Sequence, residues 1–283
     1  MIITTKAYAK INLYLKILDK LPNGYHNIFT IMQRISLHDD MKINITPGEK
    51  IIKITCSDES IANEANTAYK AADLFLKNSN LPYDIDIEIE KHIPSQAGLG
   101  GGSSDAAAVL LALNQWVGNI LPEDILMQIA ANIGADVPFF VKNTSCAVCE
   151  GIGEIVAPFA LDLSDYKVLI VKPAYNISTK QAFEDFDKAR LSPILKGELD
   201  AELLKNFNVK KIYNDFAKLA YSQNESIEEI QKLILDYGAV STELTGSGSA
   251  LFGIFGDIKK AGQCAVGLKR LADIAFCGIF DFV

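Results

Sequence analysis

The sequence predicts an α+β chain of two domains, residues 1–158 and 159–283, and three observations carry that prediction. Early segments alternate polar and apolar residues at the period of strands. A glycine-dense loop, Pro94 to Ser104, then runs into an alanine-rich helix, as in an N-terminal α/β domain with a phosphate-binding loop. Beyond Phe159 the segments read strand, helix, strand, strand, helix, strand, the order of a ferredoxin-like split βαβ domain. A chain of 283 residues also exceeds the usual single-core size.

Ala7 to Leu18 reads as the first strand, with Lys10 and Asn12 on one face and Ile11, Leu13 and Leu15 on the other. Pro22-Asn23-Gly24 marks a turn. Further strands follow at Ile28 to Leu37, Met41 to Thr46 and Ile51 to Thr55, then a helix from Asn66 to Lys77. Tyr83 to Glu90 alternates through Ile85, Ile87 and Ile89 and delivers the chain to the glycine loop. In the helix after the loop, Ser103, Ser104 or Asp105 is the expected cap, and Val109, Leu113 and Trp116 form one buried face. A helix opening at Leu121-Pro122-Glu123-Asp124 buries Ile125, Ile129 and Ile133 and ends at Gly134.

In the second half the predicted strands are Val168 to Val171, Val240 to Leu244, Ala250 to Phe255 and Ala275 to Phe282. The predicted helices are Ser178 to Arg190, Ser226 to Tyr237 with Ser226 and Glu229 as a capping box, and Lys259 to Leu271. The seam between domains is placed near Pro158.

The loop Pro94-Ser95-Gln96-Ala97-Gly98-Leu99-Gly100-Gly101-Gly102-Ser103-Ser104 carries the chemistry. Glycines let backbone N–H groups approach an anion closely, and a helix start adds a positive dipole end. No Lys-Ser or Lys-Thr follows the glycines, and Ser103 stands where a third dinucleotide-fold glycine would be, so neither of those phosphate motifs applies. A plain strand-to-helix turn is the bland alternative. A second glycine segment, Thr245-Gly246-Ser247-Gly248, is a candidate phosphate-contacting hairpin. Asp136, among apolar neighbours at a helix exit, is either a turn residue or a carboxylate with a buried partner.

Composition excludes several classes. The net charge of −8 argues against a nucleic-acid binder, and no apolar run is long enough for a membrane helix. No targeting segment is recognisable, so the cytoplasm is the expected compartment. The five cysteines are odd in number and scattered, which suits reduced thiols; Cys146 and Cys149 form a CxxC without a second ligand pair and read as buried strand residues.

Lys10-Ile11-Asn12, Asn23-Gly24-Tyr25-His26, the Pro94 to Ala108 loop and helix, Gly134-Ala135-Asp136-Val137-Pro138 and Thr245-Gly246-Ser247-Gly248 together resemble the GHMP kinases, in order and spacing, across nearly the whole chain. The resemblance implies the two-domain GHMP kinase fold. It also implies an ATP-dependent small-molecule kinase of isoprenoid precursor synthesis that phosphorylates the 2-hydroxyl of a methylerythritol carried on cytidine diphosphate, with Mg²⁺.

By the same resemblance, Lys10 and Asp136 are the catalytic pair and Pro94 to Ser104 bind ATP. Asn12 and His26 hydrogen-bond the substrate, and Tyr25 stacks on its base. Tyr175 and Phe183 are candidates for the second stacking face, Asn66 for the adenine or ribose, and Ser103 or Ser104 for Mg²⁺. Asn23, where the family usually has Asp, keeps the turn preference, and Ser95-Gln96 replaces smaller loop residues. A monomer or weak homodimer is expected, without nucleic acid or membrane. Two alternatives stay open. One is a sibling kinase acting on an acceptor without a base, against which Tyr25-His26 argues; the other is a nucleotide sensor, against which the pairing of Lys10 with Asp136 argues.

Overall fold

The structure is a computed structural model, and it describes residues 1–189, 199–271 and 273–283. The first half opens with β1 (Ile2–Lys20) and β2 (His26–Pro47), followed by β3 (Ile52–Cys56), α1 (Thr67–Ser79), β4 (Tyr83–Glu90), α2 (Gly101–Trp116), α3 (Glu123–Ile133), α4 (Val137–Val141), β5 (Cys146–Glu150) and β6 (Ile155–Pro158). The second half comprises β7 (Lys167–Pro173), α5 (Thr179–Lys188), α6 (Leu199–Lys205), β8 (Tyr213–Asn214), α7 (Ala217–Gln223), α8 (Glu225–Asp236), β9 (Ser241–Leu244), β10 (Leu251–Phe255), α9 (Ile258–Leu268) and β11 (Ile274–Asp281).

The larger sheet runs β3-β4-β2-β1-β8, with β5 paired to the first part of β2 and β6 to β5. β2 is one strand where the sequence suggested two. The charged Asp39 does not break it, because its carboxylate, fully buried, accepts from the N–H groups of His92 and Ile93 at 2.6 and 2.8 Å and pairs with Lys91 Nζ at 2.5 Å. Register shifts along β1 between Tyr8 and Lys10 and between Asn12 and Tyr14 mark bulges on either side of the Lys10/Asn12 pair, the kind of irregularity that re-aims side chains.

The second sheet is antiparallel in the order β11-β7-β10-β9, which is the split βαβ arrangement read from the sequence. The halves are stitched together: β8 pairs with β1 in parallel at Tyr14 and Leu15, and Phe282 bridges Ile35. Apolar residues collect in three layers, one between α1–α4 and the large sheet around Phe75, Leu110 and Phe139, and one between the two sheets around Ile11, Phe29, Ile170 and Phe252. The third, around Ile230, Phe255 and Cys264, lies under α8 and α9. Val168 and Ile170 face the middle layer and Leu169 and Val171 the outer one, so β7 buries both faces.

Several local expectations are corrected. Gly100, in the left-handed region at φ 72°, is the N-cap of α2, and Ser103, Ser104 and Asp105 lie inside the first turns. α8 begins one position earlier than expected, with the Asn224 side chain accepting from Ser226 N–H at 3.1 Å, so the Ser226/Glu229 capping box does not form. A short helix, α4, follows Asp136 where no element was expected. Arg190, the expected end of the α5 helix, lies outside the described residues. Cys146 and Cys149 sit buried on β5 with free thiols, and burial pushes the Cys146 thiol up to about 12. No helix among the described residues is long and apolar enough to cross a membrane.

Candidate active site

The glycine loop closes over β1 through one backbone bond, Lys10 N–H to Leu99 O at 2.9 Å. Ala97 and Leu99 anchor it in the core, while Gln96, Gly98 and Gly100 take positive φ. A Cβ on Gly98 would stand 2.1 Å from the carbonyl oxygen of Thr245, and one on Gly100 would stand 3.1 Å from Lys10 Cγ, so both positions exclude larger residues on space as well as φ. No side chain caps α2, so the N–H groups of its first turn face outward as donors, the local geometry of an anion site.

Beneath the loop, Lys10 is buried and its Nζ lies 3.2 Å from Asp136 Oδ2 while donating to Asn12 Oδ1 at 2.7 Å. Asn12 in turn donates from Nδ2 to Thr30 Oγ1 at 2.8 Å, and Thr30 donates to Tyr14 O. Asn12 thus aims Lys10 at Asp136, and it also lines the adjoining cleft. Asp136 is the N-cap position of α4 but makes no capping bond, which leaves its carboxylate for Lys10 and the open cleft. This geometry puts a carboxylate oxygen beside a buried ammonium at the cleft, within reach of an approaching hydroxyl.

A cleft of about 730 Å³ joins this pair to the glycine loop and to a second set of groups at its other end. Its lining includes Lys10, Asn12, Gly98, Ser103, Asp136, Gly246 and Ser247, together with Tyr25, His26 and Phe183. Tyr25 stands on the rim, 60% exposed, held by the Asn23 side chain, which accepts from Tyr25 N–H at 3.1 Å. The Phe183 ring stacks on His26 at 5.0 Å and 12° and meets Phe216 edge-on. Tyr175 is outside this lining. Its ring packs into the C-terminal core, and burial pushes its hydroxyl up to about 12, so of the two aromatic candidates only Phe183 reaches the cleft.

Other expected contacts are also redirected. Thr245 is fully buried and its hydroxyl accepts from Asn12 N–H at 3.1 Å and lies 3.2 Å from Gly98 O, so it clasps the two glycine segments together; Gly246 and Ser247 reach the cleft, whereas Gly248 does not. Asn66 caps α1, accepting from Ala68 N–H and donating to Ile61 O, and is committed within the chain. Of the two serines, Ser103 lines the cleft and Ser104 is buried. Among the described residues no cluster of three or more acidic, His or Cys side chains could hold a metal unaided. A single hydroxyl donor such as Ser103 on the cleft wall suits Mg²⁺ that arrives on phosphates and keeps mostly phosphate and water oxygens.

Sequence reasoning named Phe183 on α5 but missed Thr179 and Asp187 beside it. Thr179, Phe183 and Asp187 recur every fourth residue along one helix face and all line the cleft, which is the one signal that could have found them. It also missed a buried ionic cluster behind the loop, where Lys91 Nζ bridges Asp39 at 2.5 Å and Asp105 at 2.7 Å. Burial, together with the like charge of Asp39, outweighs Lys91 and pushes the Asp105 carboxyl up to about 7.

Residues 66–144 match the GHMP kinases N terminal domain and residues 197–271 the GHMP kinases C terminal. The chain is 38% identical over 273 residues to a 4-diphosphocytidyl-2-C-methyl-D-erythritol kinase of Clostridium botulinum, covering 94% of this chain and 95% of that protein. It is 38% identical to one of Caldicellulosiruptor bescii, covering 93% of each. The crystal structure of a 4-(cytidine 5'-diphospho)-2C-methyl-D-erythritol kinase superposes with a TM-score of 0.80 at 29% identity over 99% of both chains. A mevalonate kinase of L. major, in complex with R-mevalonate, superposes with a TM-score of 0.71 at 16% identity over 99% of this chain and 95% of that one, a likeness of fold alone.

Proposed function

This chain belongs to the GHMP kinases, and from that premise we propose that it transfers the γ-phosphate of ATP to the 2-hydroxyl of 4-(cytidine 5'-diphospho)-2-C-methyl-D-erythritol. The observation that carries this reading is the continuity of one cleft from the Lys10–Asp136 pair under the glycine loop to the aromatic end at Tyr25, His26 and Phe183. A phosphoryl donor and an acceptor linked to a base need such a path.

In the proposed reaction the loop's N–H groups, from Gly98 into the first turn of α2, hold the triphosphate. Asp136 accepts the proton of the 2-hydroxyl, and Lys10, paired with that carboxylate, aligns it and stabilises charge on the transferring group. Asn12 orients Lys10 through its 2.7 Å bond. Tyr25 supplies one stacking face for cytosine from the rim and Phe183 the other, with His26 reading the base edge. Ser103 would hold Mg²⁺ together with the phosphates; when bound, the ion neutralises phosphate charge.

The domains are taken as 1–158 and 159–283, with the cleft between them built from a single chain. A cleft complete within one chain suits a monomer or weak homodimer. The test is ADP release by the purified protein with ATP, Mg²⁺ and the cytidine-linked substrate, run against mevalonate, phosphomevalonate, homoserine and galactose. Turnover confined to the cytidine-linked acceptor supports the reading, and a preference for any of the others overturns it.

A further inference from the structure

We infer that Asp187 is a specificity-determining positioning residue, which fixes the His26 tautomer so that the base end of the cleft takes a cytosine and rejects a uracil. The inference rests on the reading of that end as a pyrimidine site. His26, at the start of β2 and 6% exposed, places Nε2 at 2.8 Å from Asp187 Oδ1. The other carboxylate oxygen accepts from Lys20 Nζ at 2.5 Å. The Lys20 hydrogen bond first, and the His26 bond after it, hold the Asp187 carboxyl below its ordinary range.

An ionised carboxylate can only accept, so the hydrogen in this bond belongs to His26 Nε2. A neutral imidazole carries one N–H, and Nδ1 is then a bare acceptor, available to a ligand. Phe183, stacked at 5.0 Å and 12°, fixes the plane of the ring, and the Nε2 bond to Asp187 fixes which nitrogen meets the carboxylate.

The two pyrimidines differ where such an acceptor reads them. Cytosine presents an exocyclic amino group that donates, whereas uracil presents a carbonyl at the same position. An acceptor facing a carbonyl leaves two lone pairs opposed beside a buried ring. Without Asp187 the imidazole can move its proton to Nδ1 and accommodate the carbonyl. Asp187 reaches His26 from α5, in the other half of the chain, so the selectivity is set across the cleft.

The experiment has two arms. Calorimetric titration of the wild type, Asp187→Ala and Asp187→Asn with CDP and with UDP reads selectivity. Two-bond ¹⁵N–¹H correlation spectra in a His38→Asn, His92→Asn background leave His26 as the sole histidine and read its tautomer. The expected wild type favours CDP by about 10-fold or more and shows a protonated Nε2 with a bare Nδ1. Asp187→Ala narrows the preference to about 3-fold or less and mixes the tautomers, with ATP affinity unchanged; Asp187→Asn, which preserves size, also narrows it. An unaltered CDP preference in both variants, or a wild-type His26 protonated at Nδ1, overturns the role of Asp187 alone. Failure of the wild type to bind either nucleotide overturns the pyrimidine site, and this inference with it.

Discussion

Lys10 Nζ stands 3.2 Å from Asp136 Oδ2, with the lysine buried and the aspartate partly open to the cleft. The pair meets two needs at once: the buried ammonium has its counter-ion, and the cleft has a carboxylate held in place beside it. Asp136→Asn keeps the shape and loses the proton acceptor, so turnover is expected to fall by about 10²–10⁴-fold with ATP affinity retained. Steady-state kinetics alongside calorimetric titration of an ATP analogue measure both quantities. Near-normal turnover would remove Asp136 from the mechanism.

Gly98 is the most constrained loop glycine, since any Cβ there would meet the Thr245 carbonyl oxygen at 2.1 Å and the residue sits at φ 74°. Gly98→Ala is expected to force the two glycine segments apart and weaken ATP binding by about 10-fold or more, through lost preorganisation of the loop N–H groups. Titration with the ATP analogue tests this, and unchanged affinity would place the phosphates elsewhere.

Tyr25 is 60% exposed, so its ring contributes little to folding and is available to a ligand. Tyr25→Ala is expected to weaken binding of the cytidine substrate by about 1–3 kcal/mol, the scale of one aromatic–base stack, with the melting temperature unmoved. Tyr25→Phe keeps the ring and should cost far less. Equal losses in both variants would argue against stacking.

The cluster of Asp39, Lys91 and Asp105 makes a stability prediction. Lys91→Met leaves two buried carboxylates without their cation and is expected to cost about 3–5 kcal/mol in urea unfolding. The Asp105 carboxyl is raised from 3.8 to about 7, so between those values the folded chain holds a proton that the unfolded chain has released. Its contribution to stability is full below the lower value and is lost as pH rises through the upper one. Asp105→Asn, which cannot titrate, should therefore gain on the wild type between about pH 4 and about pH 8. A stability difference independent of pH would contradict the raised carboxyl.

The sequence alone determined the parts that depend on neighbours along the chain. The period-two alternation at Ile85, Ile87 and Ile89 makes β4, and the alanines after the glycine loop make α2. The Lys10/Asn12 spacing puts both on one strand face, and Asn23 retains a side chain that bonds Tyr25 N–H. The split βαβ order was equally legible, because the alternation of strands with helices along the chain limits the ways those strands can pair.

Only the tertiary structure decided which polar groups are spent on one another. Asn66, Thr245 and Tyr175 carry the same chemistry as true ligand contacts, yet folding commits the first to a helix cap, the second to a clasp between loops and the third to the core. Asp187 and Lys91 are ordinary charged residues in the sequence and acquire their meaning from partners far along the chain, His26 in one case and Asp39 with Asp105 in the other. The reason is physical: a hydrogen bond or ion pair depends on distances of about 3 Å between atoms, and packing brings such atoms together without any regular spacing in sequence.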